Sequence, residues 1–226
     1  MLSESIIKAG VDLLGLGRWQ QRTSPEVTCR GSQGGEDEIV AKLLGAIDTG
    51  SYVDVGASWP IQCSNTYSLY QRGLRGLLIE PLPECWYAIM RDRPGDFLCP
   101  YLVSDAAGHM ELRVLRDLSS VRPDWPIEEL AKVICLTDTL AAILARYPAW
   151  VRETCRVCSI DVEGHEAAVL RGIDWATFRP DVFIIEYRKY DAKHGIDLSS
   201  EWEPIISGNG YEFVERTAWN HIWRRK

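Results

Sequence analysis

The 226 residues carry 32 Asp and Glu against 25 Lys and Arg, a formal net charge of −7. That balance argues against a nucleic-acid partner, whose phosphates want a basic stripe, and a hydrophobic content of 46% argues against disorder. The length suits one α/β domain with a full core.

From the start of the chain, Leu2 to Trp19 spaces Ile6, Ile7, Val11, Leu13, Leu14 and Leu16 with a helical period, broken by Glu4, Lys8 and Asp12. This predicts an amphipathic helix, either packed on the domain, forming a contact between copies in a homo-oligomer, or covering a substrate. It lacks the basic n-region and cleavage site of a signal peptide. No segment reaches the roughly 18 uninterrupted apolar residues of a membrane helix. A polar linker runs from Gln20 to Gly35. Residues 1–35 are therefore expected as an N-terminal helix and linker, and 36–226 as the domain proper.

Within the domain, Glu36 to Ile47 puts Ile39, Val40, Leu43, Leu44 and Ile47 on one helix face. Tyr52 to Val55 is a strand, Asn65 to Arg72 a helix, Gly76 to Glu80 a strand, Pro83 to Arg91 a helix and Phe97 to Val103 a strand. Met110 to Leu115 is an added strand. Asp117 to Lys132, with Pro123, Trp125 and Pro126, reads as a loop. Thr137 to Tyr147 is a helix, Arg156 to Ile160 a strand, Glu163 to Leu170 a helix, Val182 to Glu186 a strand and Ser199 to Ile206 a helix. Tyr211 to Glu215 and His221 to Arg224 close the chain as an antiparallel pair. Strands that alternate with helices mean an α/β fold with a mostly parallel, doubly wound sheet, here with a closing antiparallel C-terminal strand pair.

Ligands of such sheets sit beyond the carboxyl ends of the strands. Asp54, Glu80, Asp105, Asp161 and Glu186 all fall at such ends, and stability does not require charge there. In Tyr52-Val53-Asp54-Val55-Gly56-Ala57-Ser58 an apolar strand ends in an acid and a glycine, and the small residue lets the backbone approach a ligand. Glu80, 26 residues after Asp54, stands where it can accept hydrogen bonds from ribose hydroxyls. After Gly56 no further glycine falls at the spacing of GxGxxG, and the chain holds no GxxxxGK[ST] phosphate loop. The site is thus built for a nucleoside without phosphates, and S-adenosylmethionine fits. Its amino acid end would meet Asp54, Gly56, Ala57 and Ser58, and its ribose would meet Glu80 beside Pro81.

Three segments together carry a resemblance. They are Ser32-Gln33-Gly34-Gly35-Glu36-Asp37; the run from Tyr52-Val53-Asp54-Val55-Gly56-Ala57 through Ser64-Asn65-Thr66-Tyr67 to Gly76-Leu77-Leu78-Ile79-Glu80-Pro81; and Ser159-Ile160-Asp161-Val162-Glu163-Gly164-His165-Glu166, followed by Val169-Leu170 and Ile184-Ile185-Glu186. In order and spacing, over roughly residues 32 to 190, these resemble the FkbM family of S-adenosylmethionine-dependent methyltransferases. The resemblance implies a Rossmann-like methyltransferase fold and O-methylation, often of sugar hydroxyls on glycans, glycolipids or natural products. Family members commonly carry a smaller residue where Trp59 stands.

A sugar hydroxyl needs a base to take its proton, and a sulfonium leaves as a neutral thioether without an acid. The catalytic candidates are His165, Asp161 and Glu163. His165 titrates near neutrality and is either that base or a residue packing on the helix that starts there. Asp161, Glu163 and Glu186 form an alternative set of ligands for a divalent ion that would polarise the hydroxyl. Ser104 and Asp105 are placed near adenine, although Asp105 equally caps the Ala106-Ala107-Gly108 turn. Asn65 and Thr66 either touch cofactor or acceptor or cap the helix that follows. Trp59, Trp125 and Trp219 are loop tryptophans able to stack on a sugar face.

Seven cysteines stand at 29, 63, 85, 99, 135, 155 and 158. An odd number, mostly in apolar runs, reads as reduced thiols of a cytoplasmic core. Cys155-Arg156-Val157-Cys158 has metal or redox spacing but lies in a strand without a second ligand pair, which favours a structural role. The tail Trp223-Arg224-Arg225-Lys226 is either a solvated end or a contact for an anionic surface. Two rival functions are a nicotinamide-dependent oxidoreductase, which the missing glycines oppose, and a non-catalytic module that keeps the cofactor pocket.

Overall fold

The computed structural model describes residues 31–45, 48–115, 119–123, 129–189 and 196–226. The helix expected at Leu2–Trp19, most of the linker after it, Ile47 and Trp125 lie outside these residues. In chain order the elements are α1 (Glu36–Leu44), β1 (Ser51–Val55), α2 (Tyr67–Gln71), β2 (Arg75–Ile79), α3 (Pro83–Asp92), β3 (Phe97–Cys99), β4 (Leu102–Ser104), β5 (Gly108–Leu115) and β6 (Ser119–Ser120). There follow β7 (Glu129–Thr139), α4 (Leu140–Leu144), α5 (Ala149–Glu153), β8 (Cys155–Ile160), α6 (Glu166–Arg171), β9 (Val182–Glu186), β10 (Arg188–Lys189), β11 (Ile196–Asp197), α7 (Glu203–Gly208), β12 (Tyr211–Arg216) and β13 (Asn220–Arg225).

The main sheet has the order β12-β13-β9-β8-β1-β2-β3. Its five strands from β3 to β9 run parallel, and β13 and β12 close it antiparallel. β1 and β9 are buried along their whole length, as strands covered on both faces must be. Alternate residues feed the two faces. Val53, Val55, Leu77, Ile79 and Ile160 pack with α4, α5, α6 and α7; Tyr52, Leu78, Val157 and Ile184 pack with α1, α2 and α3. The chain leaves β1 toward β2 and β3 on one side and returns through β8 and β9 on the other. The crevice where strand order reverses lies between β1 and β8, the usual ligand position in such sheets.

Three expectations need correction. The single strand read from Phe97 to Val103 is two strands in different sheets: Pro100, without an N–H, ends β3, and β4 then pairs with β7 in a second sheet of order β4-β7-β5-β6. The helix read from Thr137 begins only at Leu140, because Glu129–Thr139 is a strand. Cys135 and Thr137 face inward and Lys132, Ile134 and Leu136 outward, a period of two. Thr139 then caps α4, its Oγ1 accepting the Ala142 N–H at 3.1 Å. The helix read from Glu163 begins only at Glu166, since Glu163 and Gly164 hold φ of 54° and 94°. Cys155 and Cys158 are both buried in β8. Among the described residues no helix is long and apolar enough to cross a membrane.

Candidate functional site

A cleft of about 1050 Å³ opens beyond the carboxyl ends of β1, β2, β8 and β9. Its volume is at the upper end of the roughly 300–1,000 Å³ usual for a ligand pocket. Asp54, Gly56, Ala57, Ser58, Asn65, Glu80 and Pro81 line it together with Asp161, Glu163, His165 and Glu186.

The first wall is the turn after β1. Gly56 and Ala57 donate their N–H groups to the Ile79 carbonyl at 2.9 and 3.2 Å. Gly56 has φ of 80°, and a Cβ on it would stand 1.8 Å from the Asp161 carbonyl oxygen. Only glycine lets the turns after β1 and β8 meet in this way. Ser58 follows at φ of 46° and Cys63 at 57°; with Glu163 they are the non-glycine residues at positive φ among those described, and all three line the cleft. Glu80 holds the turn in place: its Oε2 accepts the Ser58 N–H and its Oε1 the Leu82 N–H, each at 2.8 Å. Burial pushes the Glu80 carboxyl up to about 7, and these two amide bonds pull against that rise.

Asp54 is buried, which raises its pKa, and Arg93 and a bond from Thr66 oppose the rise. Thr66 stands at the N-cap of α2, yet its hydroxyl makes no helix cap and bonds Asp54 Oδ2 at 2.5 Å. Arg93 brings Nη1 and Nη2 to the same hydroxyl oxygen, each at 3.0 Å. Sequence reasoning missed Arg93, because an arginine at the end of a helix ordinarily reads as a solvated charge. Asn65 turns inward and donates from Nδ2 to Ser159 Oγ at 3.1 Å.

The opposite wall is the turn after β8. The Asp161 N–H bonds the Val55 carbonyl at 3.0 Å, which ties the two turns together. Glu166 Oε1 accepts the N–H groups of Gly164 and Val162 at 2.9 and 3.3 Å and so fixes the turn that carries Glu163. Carboxylate oxygens of Asp161, Glu163 and Glu186 lie within 4.8 Å of one another, a spacing that would suit a divalent cation. Burial pushes Asp161 up to about 6, and burial with the neighbouring Asp161 charge raises Glu163 and Glu186 well above the usual carboxylate range.

His165 lines the cleft one residue before α6, and its Nε2 stands 3.0 Å from Ser104 Oγ. Burial lowers its pKa, so the ring is neutral at pH 7. Ser104 thus reaches the site through His165 without lining the cleft. Asp105 is outside it. Because the chain leaves the main sheet at Pro100, the residue after β4 points to solvent, and Asp105 pairs with Arg171 at 3.2 Å, which holds its pKa low. The grouping of Asp105 with the acids at the main sheet's edge is therefore wrong, while Asp54, Glu80, Asp161 and Glu186 do gather there. Trp59 and Trp219 line the rim, and Leu112, Val121 and Leu130 bring the second sheet to the cleft as an apolar flank.

The family model described as Methyltransferase FkbM domain matches residues 54–213, well over half of the chain. Among solved structures the chain is similar to the methyltransferase FkbM from Methylobacillus flagellatus KT. The TM-score there is 0.50 at 15% identity, covering 85% of this chain and 48% of that one, so the chain spans about half the length of that protein. It is similar also to 1,6-didemethyltoxoflavin-N1-methyltransferase from Burkholderia thailandensis, solved with 1,6-didemethyltoxoflavin and S-adenosylhomocysteine, with a TM-score of 0.47 at 12% identity over 100% of this chain and 92% of that one. A third similar structure, LepI in complex with SAM, gives a TM-score of 0.46 at 9% identity over 96% of this chain and 53% of that one. No curated protein sequence matches the chain.

Proposed function

The chain belongs to the FkbM methyltransferase family, and from that premise we propose that it moves a methyl group from S-adenosylmethionine to a hydroxyl oxygen, the hydroxyl being that of a sugar on a glycan, glycolipid or glycosylated natural product, in the cytoplasm. The observation that carries this reading is the pairing of two walls across one cleft. The glycine turn with Asp54 and Glu80 stands on one side, and His165 with Asp161 on the other.

The residues fit the donor. Gly56 lets the turn that follows β8 close against its own, which brings the two walls together, and no phosphate-binding loop competes for the turn. Glu80 keeps free lone pairs for ribose hydroxyls while two backbone amides hold it still. Asp54 offers Oδ1 to the cationic amino group, since Oδ2 is taken by Thr66. Bound there, S-adenosylmethionine would supply an electrophilic methyl group whose departure needs no acid. The chain's own work is then to align the acceptor oxygen and to remove one proton. His165 is the base in this reading. The Trp59 and Trp219 rings and the apolar flank of the second sheet support a sugar face joined to an apolar aglycone.

Glu80→Gln is expected to weaken S-adenosylmethionine roughly ten- to a hundredfold, the effect of losing charge-assisted hydrogen bonds. Because only the ionised carboxylate makes those bonds fully, wild-type affinity should climb as pH rises through about 7, the value to which burial brings this group. In the Gln variant the climb should flatten. Calorimetric titration from pH 6 to pH 8 measures both effects. An unchanged dissociation constant, with NADH binding instead, would transfer the site to the oxidoreductase reading.

A further inference from the structure

We propose that Arg93 and Thr66 form a directional relay that keeps Asp54 ionised and turned toward the cofactor's cationic amino group. Both are positioning residues that act through Asp54, and the cofactor's part in this rests on the function proposed above.

The direction follows from proton counting. A guanidinium only donates, and a hydroxyl has a single proton. Thr66 Oγ1 accepts both Nη1–H and Nη2–H of Arg93 at 3.0 Å. Its own proton must therefore go elsewhere, and of the two oxygens left in reach, Asp54 Oδ2 at 2.5 Å and Ser64 Oγ at 3.4 Å, the much nearer carboxylate takes it. The relay has one polarity: Arg93 to Thr66 to Asp54, with Oδ1 left for a ligand.

Arg93 is placed with unusual completeness for a buried cation. It is 1% exposed. Its Nε donates to Asp96 Oδ2 at 2.8 Å, and its guanidinium lies over the rings of Tyr52 and Tyr70 at 5.1 and 5.3 Å. Asp96 is fixed in turn by the Tyr52 hydroxyl, at 2.7 and 2.6 Å to its two oxygens, and by the Gly76 N–H at 2.8 Å. Tyr52 belongs to β1 and Gly76 to β2, so the framework that holds Arg93 is the sheet that ends in the cleft. A planar fork on a rigid mount suits aiming two donors at one oxygen; a lysine would deliver a point charge.

The charges facing Asp54 are Arg93 and Asp96 beyond α3, Glu80 after β2 and Asp161 after β8. Only Arg93 among these favours ionisation. Without the relay, a buried carboxylate beside other acids would take up a proton and lose its attraction for a cation.

Thr66→Val keeps the shape and removes the hydroxyl, and Thr66→Ser restores it. Calorimetry with S-adenosylmethionine near pH 7 should show Thr66→Val about ten- to a hundredfold weaker and Thr66→Ser close to wild type. Arg93→Lys should behave like Thr66→Val. A second measurement needs no ligand. Asp54 has a raised folded pKa, so the stability linked to its protonated form is present at low pH and lost as pH rises. Removing the hydroxyl enlarges that loss, and the gap in melting temperature between wild type and Thr66→Val should widen from pH 5 to pH 8. Equal affinity for Thr66→Val, failure of Thr66→Ser to rescue, or a gap that does not change with pH would each overturn the relay. If the wild type itself binds no S-adenosylmethionine, the cofactor reading falls, while the ligand-free melting series still decides whether Thr66 governs Asp54.

Discussion

Gly56→Ala is expected to lose S-adenosylmethionine binding and to destabilise the fold by about 2–5 kcal/mol. Two effects combine. The backbone at Gly56 has φ of 80°, a region where a side chain costs roughly 1–2 kcal/mol. The added Cβ would also stand 1.8 Å from the Asp161 carbonyl oxygen. That carbonyl has little room to retreat, since the Asp161 N–H bonds the Val55 carbonyl at 3.0 Å. Relief must come from parting the two turns that make the cleft, so binding and stability fall together. Gly35 provides the control. Its φ is 81°, but nothing lies within 4 Å of a Cβ there. Gly35→Ala should therefore cost only the backbone part. Thermal unfolding of the two variants should differ by roughly 5–10 °C for a chain of this size. Equal melting temperatures would mean that the approach of the two turns is looser than the structure has it.

The elements that were legible in the sequence are those whose surroundings are uniform. β1, β2, β8 and β9 are apolar runs that end in an acid, a glycine or both, and burial on both faces gives them that pattern. Val182–Glu186 is bounded in the fold as it reads in the chain. The second sheet was harder to see. In β7, Ile134 and Leu136 are 65% and 48% exposed, so the run lacks the clean alternation of a half-buried strand and merges with the helix after it. The turn of Glu163 and Gly164 was hidden for a different reason. A glutamate at positive φ is unfavourable in isolation and persists here because Glu166 binds the turn's amides. At the site, the acids could be read because a charge at a strand's end has no packing purpose. The residues that act on those acids could not. Thr66 reads as a helix cap and Arg93 as a surface charge until folding brings α3 over β1, with Tyr52 and Tyr70 around the guanidinium.

The same logic explains why the cleft is assembled from turns rather than from regular elements. Two of the strand-end acids are held by a donor from a neighbouring turn, Glu80 by the Ser58 N–H and Asp54 by the Thr66 hydroxyl, and Glu166 at the start of α6 is held by the Gly164 N–H. The carboxylates are buried, so each needs a donor to stay fixed. The rigid sheet sets their spacing, and the turns set their direction.

His165→Ala is expected to lower turnover by about 10²–10⁴-fold, the usual contribution of a positioned base, with nearly unchanged affinity for S-adenosylmethionine. Ser104 Oγ stands 3.0 Å from His165 Nε2 and so orients the ring at the cleft. The ring nitrogen that carries no hydrogen is the one that takes the acceptor's proton. Ser104→Ala should reduce turnover less than His165→Ala does, because it frees the ring without removing it. The pH–rate profile carries the sign. A base works when unprotonated, so turnover rises with pH and levels off above its pKa, which burial sets below the ordinary value of ~6.5. His165→Ala should lose that ascending limb. Turnover that survives the substitution but is abolished by EDTA and restored by Mg²⁺ would assign activation of the hydroxyl to a cation on Asp161, Glu163 and Glu186. Turnover that survives both treatments would leave alignment alone to carry the reaction, with Glu163, Glu166 and Glu186 as the remaining groups able to take the proton.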